Sequence, residues 1–256
     1  MVDRAGGGLL RGWRGMTGML ASVHTLHEVR AVLRAGVAVI DLKDPGQGVL
    51  GGLPLGTVGD AVESVGGACL VSATIGDRPV NDAGLEGAIM AMHQTGVDYV
   101  KVGVFDPPVQ TMCRQVLARC ADNGVSVVLV FFAEGLDALP DFQGLAELGV
   151  SGVMLDTADK DSGSLTDRLG LPLLARFVRL ARQARLLCGL AGSLRCGDIP
   201  PLLRLRPDYL GFRGALCRGQ ARSAALDEGA LLRVRRMFLD YNGVPITVER
   251  EYGSVA

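Results

Sequence analysis

A chain of 256 residues that is 48% hydrophobic can bury a large core, and its length suits one α/β barrel or two small domains. Its 26 Lys+Arg against 27 Asp+Glu leave a net charge of −1, so no broad field gathers nucleic acid or an anionic membrane. The longest apolar run, Val127 to Ala133, is less than half the roughly 18 residues a membrane-spanning helix needs.

Residues 1–17 are rich in Gly and Arg and lack the apolar core of a secretory signal. They are expected to form a flexible extension, with residues 18–256 making one domain and a C-terminal tail. Met19 to Val23 predicts the first strand. Leu26, Val29, Val32 and Leu33 then recur at a helical period within residues 24–35. Ala38–Leu42, Ala68–Thr74, Val97–Val102 and Ser126–Phe132 predict strands two to five, with helices near 54–65, 85–94 and 107–120 between them. Pro107 and Pro108 suit a helix's first turn. A helix over 140–148, a strand Gly152–Leu155, a helix over 172–184 and a strand Leu186–Leu190 follow. A short helix over 199–205 with Asp198 as candidate N-cap, a strand Tyr209–Phe212 and a helix over 223–238 complete the series.

Gly36, Gly96, Gly124 and Gly149 each precede a valine, where a helix should stop and the chain turn toward the next strand. The predicted strands are short, near-continuous apolar runs, as in buried parallel sheets. Eight strand–helix units of this kind predict an α/β single-domain (β/α)8 TIM barrel. No G-x-G-x-x-G follows the first strand, which argues against an open dinucleotide-binding sheet. None of the six cysteines forms a C-x-x-C pair, so they are expected to be reduced thiols of a cytoplasmic protein. His24, His27 and His93 fall on predicted helices and read as surface or packing residues. No acid/histidine grouping has ligand spacing, so neither a metal nor a cofactor is expected.

Lysine is scarce: of 26 basic residues only Lys43, Lys101 and Lys160 carry a primary amine. Arginine stays charged near any pH, whereas lysine can lose its proton and attack a carbonyl. All three lysines stand at or just past the C-terminal end of a predicted strand, the rim where barrel enzymes carry their chemistry. Asp41, Asp77 and Asp156 are aimed at the same rim. Clustered ammonium groups depress one another's pKa, so one amine can be neutral near pH 7 and form a Schiff base, with the acids carrying protons. After strands seven and eight, Gly192-Ser193 and Arg213-Gly214 lie in loops that commonly hold phosphate in barrels, and a forked guanidinium suits phosphate oxygens. A phosphorylated carbonyl compound is the expected substrate.

Four segments carry a resemblance: Asp41-Leu42-Lys43-Asp44-Pro45, Ser72 to Asp77, Asp98 to Gly103 and Leu155 to Asp161. In this order they resemble the (5-formylfuran-3-yl)methyl phosphate synthase family of methanofuran biosynthesis, also called 4-(hydroxymethyl)-2-furancarboxaldehyde-phosphate synthases, over about Met19 to Phe238. The resemblance implies a lyase that condenses two molecules of glyceraldehyde 3-phosphate into a phosphorylated furan aldehyde, losing phosphate and water. It implies that Lys43 forms the Schiff base, that Lys101, Asp156 and Lys160 exchange protons, and that Asp41 supports them. Val49 stands where a small polar residue would be expected, and the N-terminal extension has no counterpart. A class I aldolase or isomerase acting on a triose phosphate, and a non-catalytic sugar-phosphate-binding barrel, remain alternatives. The expected partner is a triose phosphate, and the chain is expected to be a homo-oligomer.

Overall fold

The protein is described from a computed structural model at residues 16–79, 82–105, 111–136, 138–159 and 163–241. Eight parallel strands close into a barrel in chain order: β1 Gly18–Val23, β2 Val39–Leu42, β3 Leu70–Thr74, β4 Tyr99–Val104, β5 Val127–Phe132, β6 Gly152–Asp156, β7 Leu187–Leu190 and β8 Tyr209–Phe212. Closure is made by β1 against β8, where Gly18 aligns with Tyr209 and Ala21 with Phe212. Nine helices are described around it: α1 Leu26–Arg34, α2 Leu55–Val65, α3 Leu85–Gln94, α4 Thr111–Asp122, α5 Phe142–Glu147, α6 Leu165–Arg168, α7 Leu171–Gln183, α8 Ile199–Leu205 and α9 Glu228–Tyr241. The predicted TIM barrel is the observed fold.

Period-two alternation divides each strand between two cores. Outward residues such as Ile40, Val71, Leu129 and Leu155 meet the helices in a large cluster that includes Phe177 and Phe238. Inward residues Leu20, Val39, Leu70, Val128, Met154 and Tyr209 fill the lower barrel. Above them the inward positions turn polar, with Ser22, Asp41, Ser72, Thr74, Lys101 and Asp156 all buried. In the lower layer Gly189 makes room for Tyr209, since a Cβ there would run into its ring.

The four glycines expected to end helices all adopt positive φ, from 69° at Gly36 to 89° at Gly96. A side chain is strained there, which is why the helix stops at that residue. Three local departures have physical causes. The last helix begins at Glu228 rather than near 223, because residues 214–226 fold into two 3₁₀ turns and a bridge between Cys217 and Leu226. Asp227 then accepts the Ala230 N–H at 2.6 Å, as an N-cap does. The short helix α6, opened by a capping box of Ser164 and Asp167, was not expected. Helix α5 begins at Phe142 because Asp141 caps it through the Gly144 N–H. Pro107 and Pro108, most of the N-terminal extension and residues beyond Tyr241 lie outside the described residues. Thr17, assigned above to the extension, is buried, and its hydroxyl donates to the Pro207 carbonyl at 2.8 Å.

Candidate active site

The upper barrel holds two amine–carboxylate pairs, one sealed and one open. In the sealed pair Lys101 Nζ lies 2.8 Å from Asp41 Oδ1, and the two residues are only 2% and 1% exposed. Strand register assembles it: Ser22, Asp41 and Ser72 are direct neighbours across β1, β2 and β3. Ser22 donates to Asp41 Oδ2 at 2.8 Å and Ser72 to Oδ1 at 2.7 Å, so three donors satisfy the carboxylate. Burial opposes charge on Asp41, but Lys101 and Lys43 outweigh it and hold the carboxyl below its ordinary range. At Lys101 burial prevails over the attraction of Asp41, so this amine sheds its proton more readily than an exposed lysine.

The open pair is Lys43 and Asp156. Lys43 stands one residue past β2, and its backbone N–H still donates to the Val23 carbonyl at 3.1 Å, so the strand geometry continues under it. Its Nζ lies 3.8 Å from Asp156 Oδ2, with 13% of the side chain exposed. The other carboxylate oxygen of Asp156 accepts the Thr157 N–H at 2.8 Å. Both residues line a cavity of about 390 Å³ at the barrel mouth. Its size suits a small phosphorylated metabolite better than a polymer.

The loops after β7 and β8 form the opposite wall, with Gly192, Ser193, Arg213 and Gly214 all on it. Gly192 has φ 107°, and a Cβ there would meet Thr157. Arg213 lines the cavity, but its guanidinium is directed into the protein. Its donors go to Glu28 at 2.8 Å, Ser22 O at 3.3 Å, Arg222 O at 2.8 Å and Ala224 O at 3.1 Å, with His24 Nδ1 at 3.2 Å. Four of its five N–H groups thereby meet oxygen acceptors and the fifth faces His24 Nδ1, so the fork is turned away from a phosphate in the cavity. Two cations that the sequence reading passed over, Arg195 and Arg222, also line the wall.

Asp77, the remaining acid expected at the rim, grips backbone instead. It accepts the N–H groups of Val49 at 2.8 Å and Leu50 at 2.6 Å, in the loop that follows Lys43. From the other side Arg222 donates to the carbonyls of Pro45 and Gly48, each at 2.7 Å. Glu134 treats the loop after β6 in the same way, accepting the N–H groups of Ala158 and Asp159 at 2.9 and 3.0 Å. Lys160 follows in sequence and lies outside the described residues. Among the described residues, no three His, Cys, Asp or Glu are grouped to hold a metal, and no helix is long and apolar enough to cross a membrane.

The profile of the family described as 4-HFC-P synthase matches residues 19–235. A Methylorubrum extorquens protein named as a candidate (5-formylfuran-3-yl)methyl phosphate synthase is 42% identical, the match covering 82% of this chain and 86% of that one. The (5-formylfuran-3-yl)methyl phosphate synthase of Methanococcus maripaludis strain C7 is 30% identical over 78% of this chain and 89% of its own. That of Methanobrevibacter smithii is 31% identical over 80% and 91%. Among solved structures, phosphoribosyl anthranilate isomerase from Thermus thermophilus superposes with a TM-score of 0.62 at 14% identity, covering 87% of this chain and 98% of that one. Dihydrodipicolinate synthase from Thermotoga maritima gives 0.60 at 14% identity, covering 90% and 77%. These two likenesses concern the fold alone.

Proposed function

The chain belongs to the 4-HFC-P synthase family, and from that premise we propose that it condenses two molecules of glyceraldehyde 3-phosphate into (5-formylfuran-3-yl)methyl phosphate, through a Schiff base on Lys43. The observation that carries the choice of Lys43 is accessibility. Its amine opens on the cavity beside the Asp156 carboxylate, whereas Lys101 is sealed against Asp41. A nucleophile must reach its carbonyl, so the open amine is the one to form the covalent bond.

In this reading Lys43 Nζ adds to the aldehyde carbon of the first triose, and water leaves to give an iminium. The iminium acidifies the neighbouring C–H, and loss of that proton gives an enamine. The enamine carbon bonds to the aldehyde carbon of the second triose. Elimination of phosphate and water, ring closure by a hydroxyl oxygen and hydrolysis from Lys43 complete the furan. Asp156 is the proton carrier beside the nitrogen, with Lys160 of the same loop as a second. Asp41 and Lys101 form the protonic reserve beneath. The phosphate cradle is backbone from Gly192, Ser193 and Gly214, with charge from Arg195 and Arg222, while Arg213 braces the loop. The enzyme is on this reading a carbon–oxygen lyase of methanofuran-type cofactor biosynthesis that needs no cofactor.

The test is incubation with glyceraldehyde 3-phosphate, with mass analysis of product and protein. The expected results are furan absorbance, released phosphate and, after borohydride, added mass on Lys43. Reversible aldol cleavage without furan would make it an aldolase. Binding without turnover would make it a sugar-phosphate-binding barrel.

A further inference from the structure

The sealed pair poses a problem of access. Asp41 and Lys101 are almost wholly buried, and neither lines the mouth cavity. A proton can pass between such a pair and a ligand only through a group that touches both. The two serines bound to Asp41 differ in this respect. Ser22 lines the mouth cavity, and its hydroxyl donates to Asp41 Oδ2 at 2.8 Å. Ser72 donates to Oδ1 at 2.7 Å but faces a small apolar void below, shared with Lys101 and Tyr209. The carboxylate therefore has one hydroxyl on the side of the ligand and one on the closed side.

We propose that Ser22 is the proton relay between the mouth cavity and the sealed Asp41–Lys101 pair. Ser22 Oγ gives its hydroxyl proton to Asp41 Oδ2 while taking a proton from the group held in the cavity. The hydroxyl ends as it began, one proton has moved, and the Asp41 acid, once its carboxyl turns, hands that proton to a neutral Lys101 amine, leaving the carboxylate–ammonium pair. Reversal returns the proton to the cavity. The position of Ser22 is well controlled, since its own carbonyl accepts from Arg213 at 3.3 Å and its Cα aligns with that of Asp41. The use of this relay in furan synthesis rests on the function proposed above, but its existence does not.

With only three lysines in the chain, selective ¹⁵N-lysine labelling gives a side-chain spectrum simple enough to follow Lys101 Nζ by NMR. The exchange of its protons with solvent is measured in the parent, S22A, S22T and S72A proteins, without substrate. The relay predicts exchange slowed about tenfold or more in S22A, restored in S22T and near parental in S72A. In turnover with glyceraldehyde 3-phosphate, S22A should lose about a hundredfold in kcat with KM little changed and borohydride trapping at Lys43 intact. Unchanged Lys101 exchange in S22A, or equal slowing in S22A and S72A, overturns the relay. Furan formation by the parent enzyme separately decides the substrate reading, so the two failures cannot be confused.

Discussion

Lys43 and Lys101 are the same residue type, and what separates them is depth, solvent and partner: Lys43 stands just past β2, and Lys101 inside β4, not at its end as the sequence suggested. A K43M variant should lose about a thousandfold or more in furan formation, the scale expected when a covalent group is removed, and should no longer trap substrate with borohydride. For Asp41 the expectation concerns stability. D41N leaves Lys101 buried without its counter-charge, a defect of about 3–5 kcal/mol near neutral pH. Its pH dependence has two limbs. The Asp41 carboxyl is held below its ordinary value, so its stabilisation is present above the unfolded carboxylate range and is lost as pH falls through the folded value. Lys101 is held below its ordinary value too, so at alkaline pH the unfolded chain holds more protons than the folded one, and raising pH relieves the variant. The deficit of D41N should therefore be largest near neutrality and shrink toward both acid and alkali in urea titrations; a constant deficit would contradict the assignment of charges. Arg213 shows where residue-level reading stops. A forked donor after β8 has the right chemistry for phosphate, but its direction is set by Glu28, 185 positions away, and no local pattern reveals that contact.

The elements that carry Lys43 and Lys101 were readable, because a left-handed glycine precedes each apolar run and a lysine ends it in β2 or interrupts it in β4. The loops beyond the strands were not, since their shape depends on hydrogen bonds to other loops. Asp77 and Arg222 hold the loop after β2 from opposite sides, through its N–H groups and its carbonyls respectively. D77A should cut kcat/KM about 10- to 100-fold by loosening the base on which Lys43 stands. Its urea midpoint should fall only modestly, because the Asp77 hydrogen bonds to Val49 and Leu50 lie at the rim, although the Leu50 side chain itself reaches into the inner core. Limited digestion with a non-specific protease should show new cleavage between residues 44 and 52; cleavage elsewhere, or none, would mean the loop holds without Asp77.

At the scale of the molecule, the barrel could be read by counting strand–helix units, but the register of its strands could not. Ser22 and Ser72 illustrate the gap. Both sit in apolar runs, and a serine there says nothing of its neighbours until the alignment of β1, β2 and β3 places it against Asp41. Once the ring is closed, a small defect at the seam weakens the whole. Thr17 Oγ1 donates to Pro207 O and Gly18 N–H to Asp208 O, both at 2.8 Å, just below the junction of β1 and β8. T17V removes one of these bonds and should lower global stability by about 1 kcal/mol, seen as a shift of a single urea transition rather than as early melting of one part.

The arginine-for-lysine bias has a further consequence for a protein exposed to reactive sugars. Simple aldehydes condense with primary amines, and the described part of this molecule keeps one such amine sealed and the other inside its pocket. Among the described residues, an enzyme whose proposed substrate is itself a glycating agent thus exposes no lysine amine outside its pocket. Prolonged incubation with glyceraldehyde, followed by peptide mapping, should place adducts on Lys43 and none on Lys101, where a lysine-rich barrel of equal size accumulates a ladder of adducts.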